Sequence, residues 1–281
     1  MTDLLAIVMQ VSLVVFMCGS LLGMGLALSL GDALAGLADL RFGALVLVLG
    51  FGMGPALAYG LAALLRLDPA YGAGLMLLGL TPCAPFLSML ADRAGGDKTR
   101  VAACLLISAV STILLLPVVV PLTIPGLSVS AWTIARPLLL IVLLPLALGM
   151  AVLRWFPDAA ARSVPAVRAI TGIATIIMLG LCAVLYGKGF TEAVGTRSIA
   201  AQALFFGLAT LIAYACGTGL RPDRRSVLTL GICTRNVGAA LAPVLAASGA
   251  DQRMVIMVVM GVPMQLIFAF AAARWLAARR T

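Results

Sequence analysis

Two stretches decide the fold: "GLTPCAPFLSMLADRAGGD", from Gly79 to Asp97, and "GICTRNVGAALAPVLAASGAD", from Gly231 to Asp251. Each begins inside a run apolar enough to cross a bilayer, and each is interrupted there. In the first, Pro82 and Pro85 fall in the middle of the run. A proline has no backbone N–H, and its ring clashes with the carbonyl four residues back, so a helix must kink or open. In the second, Cys233-Thr234-Arg235-Asn236 stands between Gly231 and Gly238. An arginine at mid-membrane costs about 2.5 to 3.5 kcal/mol on insertion scales, so Arg235 is expected to face the bundle interior or a cavity. Lipid offers no partners to freed backbone groups, so both breaks are expected against protein or a water-filled space.

The composition fits that reading. Of 281 residues, 63% are hydrophobic and 10% charged, against about 25% charged in an ordinary soluble domain. Too few polar side chains remain to cover a soluble surface, which excludes a soluble enzyme, a nucleic-acid binder and a disordered chain. Histidine is absent and Glu192 is the one glutamate. No catalytic residue, metal site or cofactor is therefore expected, and an intramembrane enzyme lacks a nucleophile–base pair or metal cluster. Cys18, Cys83, Cys104, Cys182, Cys216 and Cys233 all lie in apolar runs and read as small hydrophobes.

At about 20 residues per crossing, nine spans are expected: 4–30, 43–65, 71–90, 101–124, 134–153, 167–186, 200–220, 227–247 and 255–278. The runs are continuous and long, which favours helices over a barrel. The first lacks the basic flank of a signal peptide and is too long for its apolar core, so it is expected to remain as a helix. An odd count puts the termini on opposite sides. With the N-terminus outside, thirteen basic residues fall in inner segments, among them Lys98, Arg100, Arg224 and Arg225, and four fall outside. That bias favours N-out, C-cytoplasmic placement in the cell membrane.

The chain also resembles itself. "LAYGLAALLRLD" (Leu57–Asp68) matches "IAYACGTGLRPD" (Ile212–Asp223), and each precedes one of the interrupted runs. The span count puts Asp68 outside and Asp223 inside, so the copies are expected to be inverted, as in secondary transporters. Candidate substrate contacts are Arg235, Asn236, Thr234, Thr81 and Ser88, with Pro82, Pro85, Gly231 and Gly238 forming the breaks. An arginine without a carboxylate in any span, beside half-helix N-termini, favours a small anionic solute. Ser108, Ser111 and Thr112 are expected to back-bond within their helix. Gln265 either lines a cavity or makes a helix–helix hydrogen bond.

At these residues the chain resembles the bile acid:sodium symporter family, as a divergent bacterial-type member. "LLGMGLALSLGD" (Leu21–Asp32), "GLMLLGLTPCAP" (Gly74–Pro85), "AVST" (Ala109–Thr112) and "TRNVGAALA" (Thr234–Ala242) are similar to its core motifs. The resemblance implies an all-α polytopic membrane domain over 1–281, built of inverted repeats at about 1–125, lacking its first helix, and 131–281. Residues 4–30, 134–153 and 167–186 would form a panel, and the remaining spans a core with two crossing broken helices. Substrate would bind between panel and core, with Asn236 at the family's substrate-facing asparagine.

The same resemblance puts Gly231, Arg235, Leu87, Ser88, Val101 and Leu105 where the family has sodium ligands, so most of both sodium sites is missing. The function implied is a secondary active or facilitative transporter of small organic anions, working by alternating access. The alternatives are a sodium-coupled symporter using backbone ligands and a non-transporting membrane interaction protein. The oligomeric state is left open.

Overall fold

A computed structural model describes residues 2–124, 130–185, 187, 193, 195–247 and 249–279. Among them the chain is helical, with no strand. Helix α1 spans Thr2–Ala27, α2 Leu30–Leu37, α3 Leu40–Leu64, α4 Pro69–Gly79, α5 Leu87–Arg93 and α6 Lys98–Thr123. The second half holds α7 (Ala131–Trp155), α8 (Pro157–Leu185), α9 (Ser198–Cys216), α10 (Pro222–Cys233), α11 (Val237–Ala246) and α12 (Gln252–Ala278). Seven of these, α1, α3, α6, α7, α8, α9 and α12, are long and apolar enough to cross a membrane. The other two expected runs are each split, into α4 and α5 and into α10 and α11.

Side-chain caps set most of the helix starts. The Asp39 carboxylate accepts from the Phe42 N–H, Asp68 from Ala70, Asp97 from Thr99 and Arg100, and Asp251 from Arg253. Each cap satisfies donors that the first helical turn leaves unpaired. Capping also explains a departure from expectation. The first apolar run was expected to continue to residue 30, but α1 stops at Ala27 and Ser29 caps the short α2 by accepting from the Asp32 N–H. The expected span at 167–186 begins ten residues earlier, at Pro157, whose fixed φ suits a first helical position. Helices α3 and α7 each contain a π-helical turn, Val48–Met53 and Leu138–Leu143, that ends shortly before a proline, Pro55 or Pro145. The missing proline N–H is where such wider turns are accommodated.

Helix α1 packs along α7 and α8, while α4 packs between α3 and α12. Two groups of ion pairs link helices that are distant in sequence. In one, Asp39 meets Arg224 at 2.8 Å and Arg100 at 3.4 Å, and Arg224 approaches Asp97 at 3.8 Å. In the other, Arg253 meets Asp68 at 2.7 Å and Asp251 at 2.6 Å. Hydrogen bonds from Arg253 hold the Asp251 carboxyl below the usual carboxylate range.

Close helix contact needs glycine at the α1–α7 crossing. A Cβ on Gly149 would lie 2.5 Å from the Leu22 carbonyl oxygen and 2.8 Å from the Leu26 nitrogen. Both are backbone atoms and cannot turn aside. Gly149→Ala is expected to lower unfolding stability in detergent by about 1–3 kcal/mol through overpacking. Gly172→Ala is the control, because a Cβ there meets nothing within 4 Å. Equal midpoints for the two variants would contradict the packing.

Candidate functional site

The two chain breaks meet each other. Helix α4 ends at Gly79, and the Thr81 hydroxyl donates back to the Leu77 and Leu78 carbonyls at 3.0 and 3.3 Å. Helix α10 ends at Cys233, and the Thr234 hydroxyl likewise donates to the Leu230 carbonyl at 2.9 Å. Beyond these caps the two unwound segments run antiparallel, with a single bridge that pairs Pro82 with Arg235. The Asn236 N–H donates to the Thr81 carbonyl at 2.8 Å, and the Cys83 N–H donates to the Thr234 carbonyl at 2.8 Å. The Ala84 N–H donates to the Thr234 hydroxyl at 3.1 Å. Each break thus supplies the partners the other has lost, which lipid cannot do.

Proline opens the first break. The second contains none, and a tertiary contact holds it open. The Arg235 N–H donates to the Gln265 side-chain oxygen of α12 at 2.8 Å. Gln265 lies on α12, and its hydrogen bond goes neither to a cavity nor to another helix but to the unwound backbone between α10 and α11. Asn236 then caps α11, accepting from the Ala239 N–H at 3.1 Å.

Arg235 is fully buried. Its guanidinium donates to the Gly79 carbonyl at 3.3 Å and lies 4.8 Å from the centre of the Phe205 ring on α9. Gly54 makes room for it, since a Cβ there would sit 3.3 Å from the guanidinium. Among the described residues no carboxylate pairs with Arg235, and two of its side-chain nitrogens have no hydrogen-bond partner. A buried, incompletely paired charge is costly, and such groups are rarely kept for stability alone.

A narrow recess lies on the other side of the crossing, between it, α1 and α6. Leu21 and Met24 of α1 line it, as do Pro82, Cys83 and Pro85, Leu105, Ser108, Ala109 and Thr112 of α6, and Asn236. Of the five candidate contacts, only Asn236 lines the recess. Thr81 and Thr234 are fully buried with hydroxyls committed to helix carbonyls, Arg235 is turned toward Phe205, and Ser88 sits half-buried on α5. Pro82 and Pro85 border the recess, whereas Gly231 packs against Cys104 and Gly238 against Met17.

Sequence reasoning missed Ser108 and Thr112 as lining residues. The Ser108 hydroxyl is 2% exposed and makes no back-bond to its own helix. The signal was present, because Leu105, Ser108, Ala109 and Thr112 recur at the spacing of one helix face. Of the positions that the resemblance matched to sodium ligands, Gly231, Arg235, Leu87, Val101 and Leu105 are buried and Ser88 is half-buried. Gly231 has no space for a longer side chain, since a Cβ would meet the Cys104 sulfur at 2.7 Å.

Among known protein families, residues 11–193 match the one described as "Sodium Bile acid symporter family". The match runs from α1 through α8 and includes the first break, while the second lies beyond it. No curated protein matches the chain.

The reciprocal bonds carry a direct prediction. Thr234→Val removes the acceptor of the Ala84 N–H and leaves a buried donor unpaired, at a cost of about 1–3 kcal/mol. Thr234→Ser keeps the acceptor and is expected to retain most of that stability. Equilibrium unfolding in detergent checks both, and equal loss in the two variants would contradict the role of the hydroxyl.

Proposed function

The chain belongs to the sodium bile acid symporter family, and we propose that it carries small organic anions across the cell membrane by alternating access. Family members are transporters and not enzymes, and this chain is a multi-pass membrane protein. The observation that carries the finer reading is the crossing of two broken helices, beside a recess lined by α1 and α6 that in this conformation has room for about one water. Alternating access needs a site at such a junction, where one helix group rocks against another.

The reading has nine crossings, counting the α4–α5 and α10–α11 pairs as one each, with the N-terminus outside and the C-terminus cytoplasmic. The chain is one membrane domain of two inverted repeats, about 1–125 and 131–281. Helices α1, α7 and α8 form the panel and the others the core. Support comes from the matching roles of Thr81 and Thr234, each capping the helix before a break and each offering its carbonyl to the other repeat. It comes also from the two ion-pair groups, in which Asp97 joins the start of α10 directly and Asp251 is linked to Asp68 at the start of α4 through Arg253. The packing of α1 on α7 and α8 agrees with the panel.

In this reading Asn236 meets the solute from the recess. Arg235 sits behind it, holding the crossing and supplying positive charge. Transport is sodium-independent. A hard cation needs several oxygen ligands, and of the matched positions Gly231, Leu87, Val101 and Leu105 offer no side-chain oxygen, which leaves the Ser88 hydroxyl alone. Arg235 would also repel a cation bound beside it by about 4 kcal/mol at 4 Å with an effective dielectric near 20. Its guanidinium stands in for the missing ion, and the mode is facilitated diffusion or anion exchange.

Uptake of labelled organic anions into proteoliposomes tests this under matched sodium and choline gradients. The rates are expected to agree. Arg235→Ala is expected to abolish uptake at near-normal expression, with poor rescue by Arg235→Lys, whose ammonium lacks the planar fork. Stimulation several-fold by sodium would overturn sodium independence and favour symport through backbone ligands. Failure of wild-type protein to move any anion would favour a non-transporting membrane protein.

A further inference from the structure

A second polar feature lies away from the crossing, where the end of α9, the start of α10 and the end of α12 come together. Tyr214 in the last turn of α9 meets Trp275 of α12, ring centres 4.5 Å apart and inclined at 65°. The Arg225 guanidinium lies 3.4 Å from the centre of the Tyr214 ring, and that of Arg279 lies 4.3 Å from the Trp275 ring. Arg279 also donates to the Tyr214 hydroxyl at 3.3 Å. Two arginines are therefore held on one aromatic pair.

Ordinary roles account for only part of this arrangement. Arg225 donates to the Tyr214 carbonyl at 2.8 Å, and Arg41 to the Thr218 carbonyl at 3.0 Å, so both satisfy acceptors left at the end of α9. Among the described residues the Arg279 side chain donates to no backbone carbonyl. Neither Arg225 nor Arg279 forms a salt bridge among the described residues, and the nearby Asp223 is paired with Arg221 at 3.5 Å. Setting membrane orientation requires only the number of charges, not their fixed placement on rings.

We propose that Arg225, Arg279, Tyr214 and Trp275 form a binding site for the phosphate headgroup of an anionic phospholipid. Trp275, exposed at the end of a membrane helix, is placed like the aromatic residues that mark the headgroup level. The ring contacts hold both guanidinium groups on one aromatic pair and leave N–H groups of each for phosphate oxygens. Basic pockets between helix ends are a general mode of headgroup recognition. A soluble anion would offer the same phosphate, but only a lipid also supplies acyl chains to the apolar surface below.

Native mass spectrometry tests the site on full-length protein equilibrated with equal phosphatidylglycerol and phosphatidylcholine. Wild type is expected to retain phosphatidylglycerol in several-fold preference, and Arg225→Gln/Arg279→Gln to lose that preference. Arg279→Gln alone, at an exposed helix end, lowers it even if the double variant does not fold. Arg154→Gln/Arg168→Gln, which removes two exposed arginines outside the cluster, leaves it intact. Excess inorganic phosphate leaves the retained lipid in place. Unchanged preference in the cluster variants, equal loss in the control pair, or displacement by phosphate would overturn the assignment.

Discussion

The structure depends on an exchange of backbone hydrogen bonds between two places where the chain stops being a helix. In a membrane interior an unpaired N–H or carbonyl has no water to turn to. The break after α4 and the break after α10 therefore need each other. The Thr81 and Thr234 carbonyls, with the Asn236 and Cys83 N–H groups, close the account in both directions. The Thr234 hydroxyl adds a further acceptor for Ala84. Helices α3, α6, α9 and α12 surround this junction, and their small residues, Gly54 among them, allow the approach.

Once the crossing is fixed, the two sides of it differ. One holds the buried Arg235 guanidinium against Phe205 and the Gly79 carbonyl. The other opens on the recess, with Asn236, Ser108 and Thr112 as its polar side chains. Arg235 and Asn236 are neighbours in sequence, yet the extended backbone sends them to opposite sides, one behind the crossing and one into the recess. The proposed mechanism uses both: a fixed positive charge that needs no coupling ion, and a polar contact for the solute.

Much of the crossing was legible in the sequence because covalent chemistry imposes it. Pro82 and Pro85 cannot continue a helix, and an arginine cannot face lipid without cost, so a break and a buried charge follow from residue identity. The membrane class follows from the shortage of charged residues. The direction of the Arg235 side chain was not legible, since it depends on Phe205 and Gly79, distant in sequence. The Gln265 bond to the Arg235 N–H is likewise a tertiary contact, between α12 and the unwound backbone. Ser29 could have been read as a cap, but a serine in an apolar run looks the same whether it ends a helix or back-bonds within it. The same ambiguity hid Ser108.

The central claim is that the buried charge of Arg235 occupies the crossing in place of a bound cation. The most direct measurement is the thermal unfolding midpoint of the purified protein in sodium chloride and in choline chloride at equal ionic strength. An ion bound only by the folded protein stabilises it by about 2.7 kcal/mol at a concentration one hundred times its dissociation constant. The account predicts the same midpoint in both salts. A midpoint that rises with sodium concentration would contradict it.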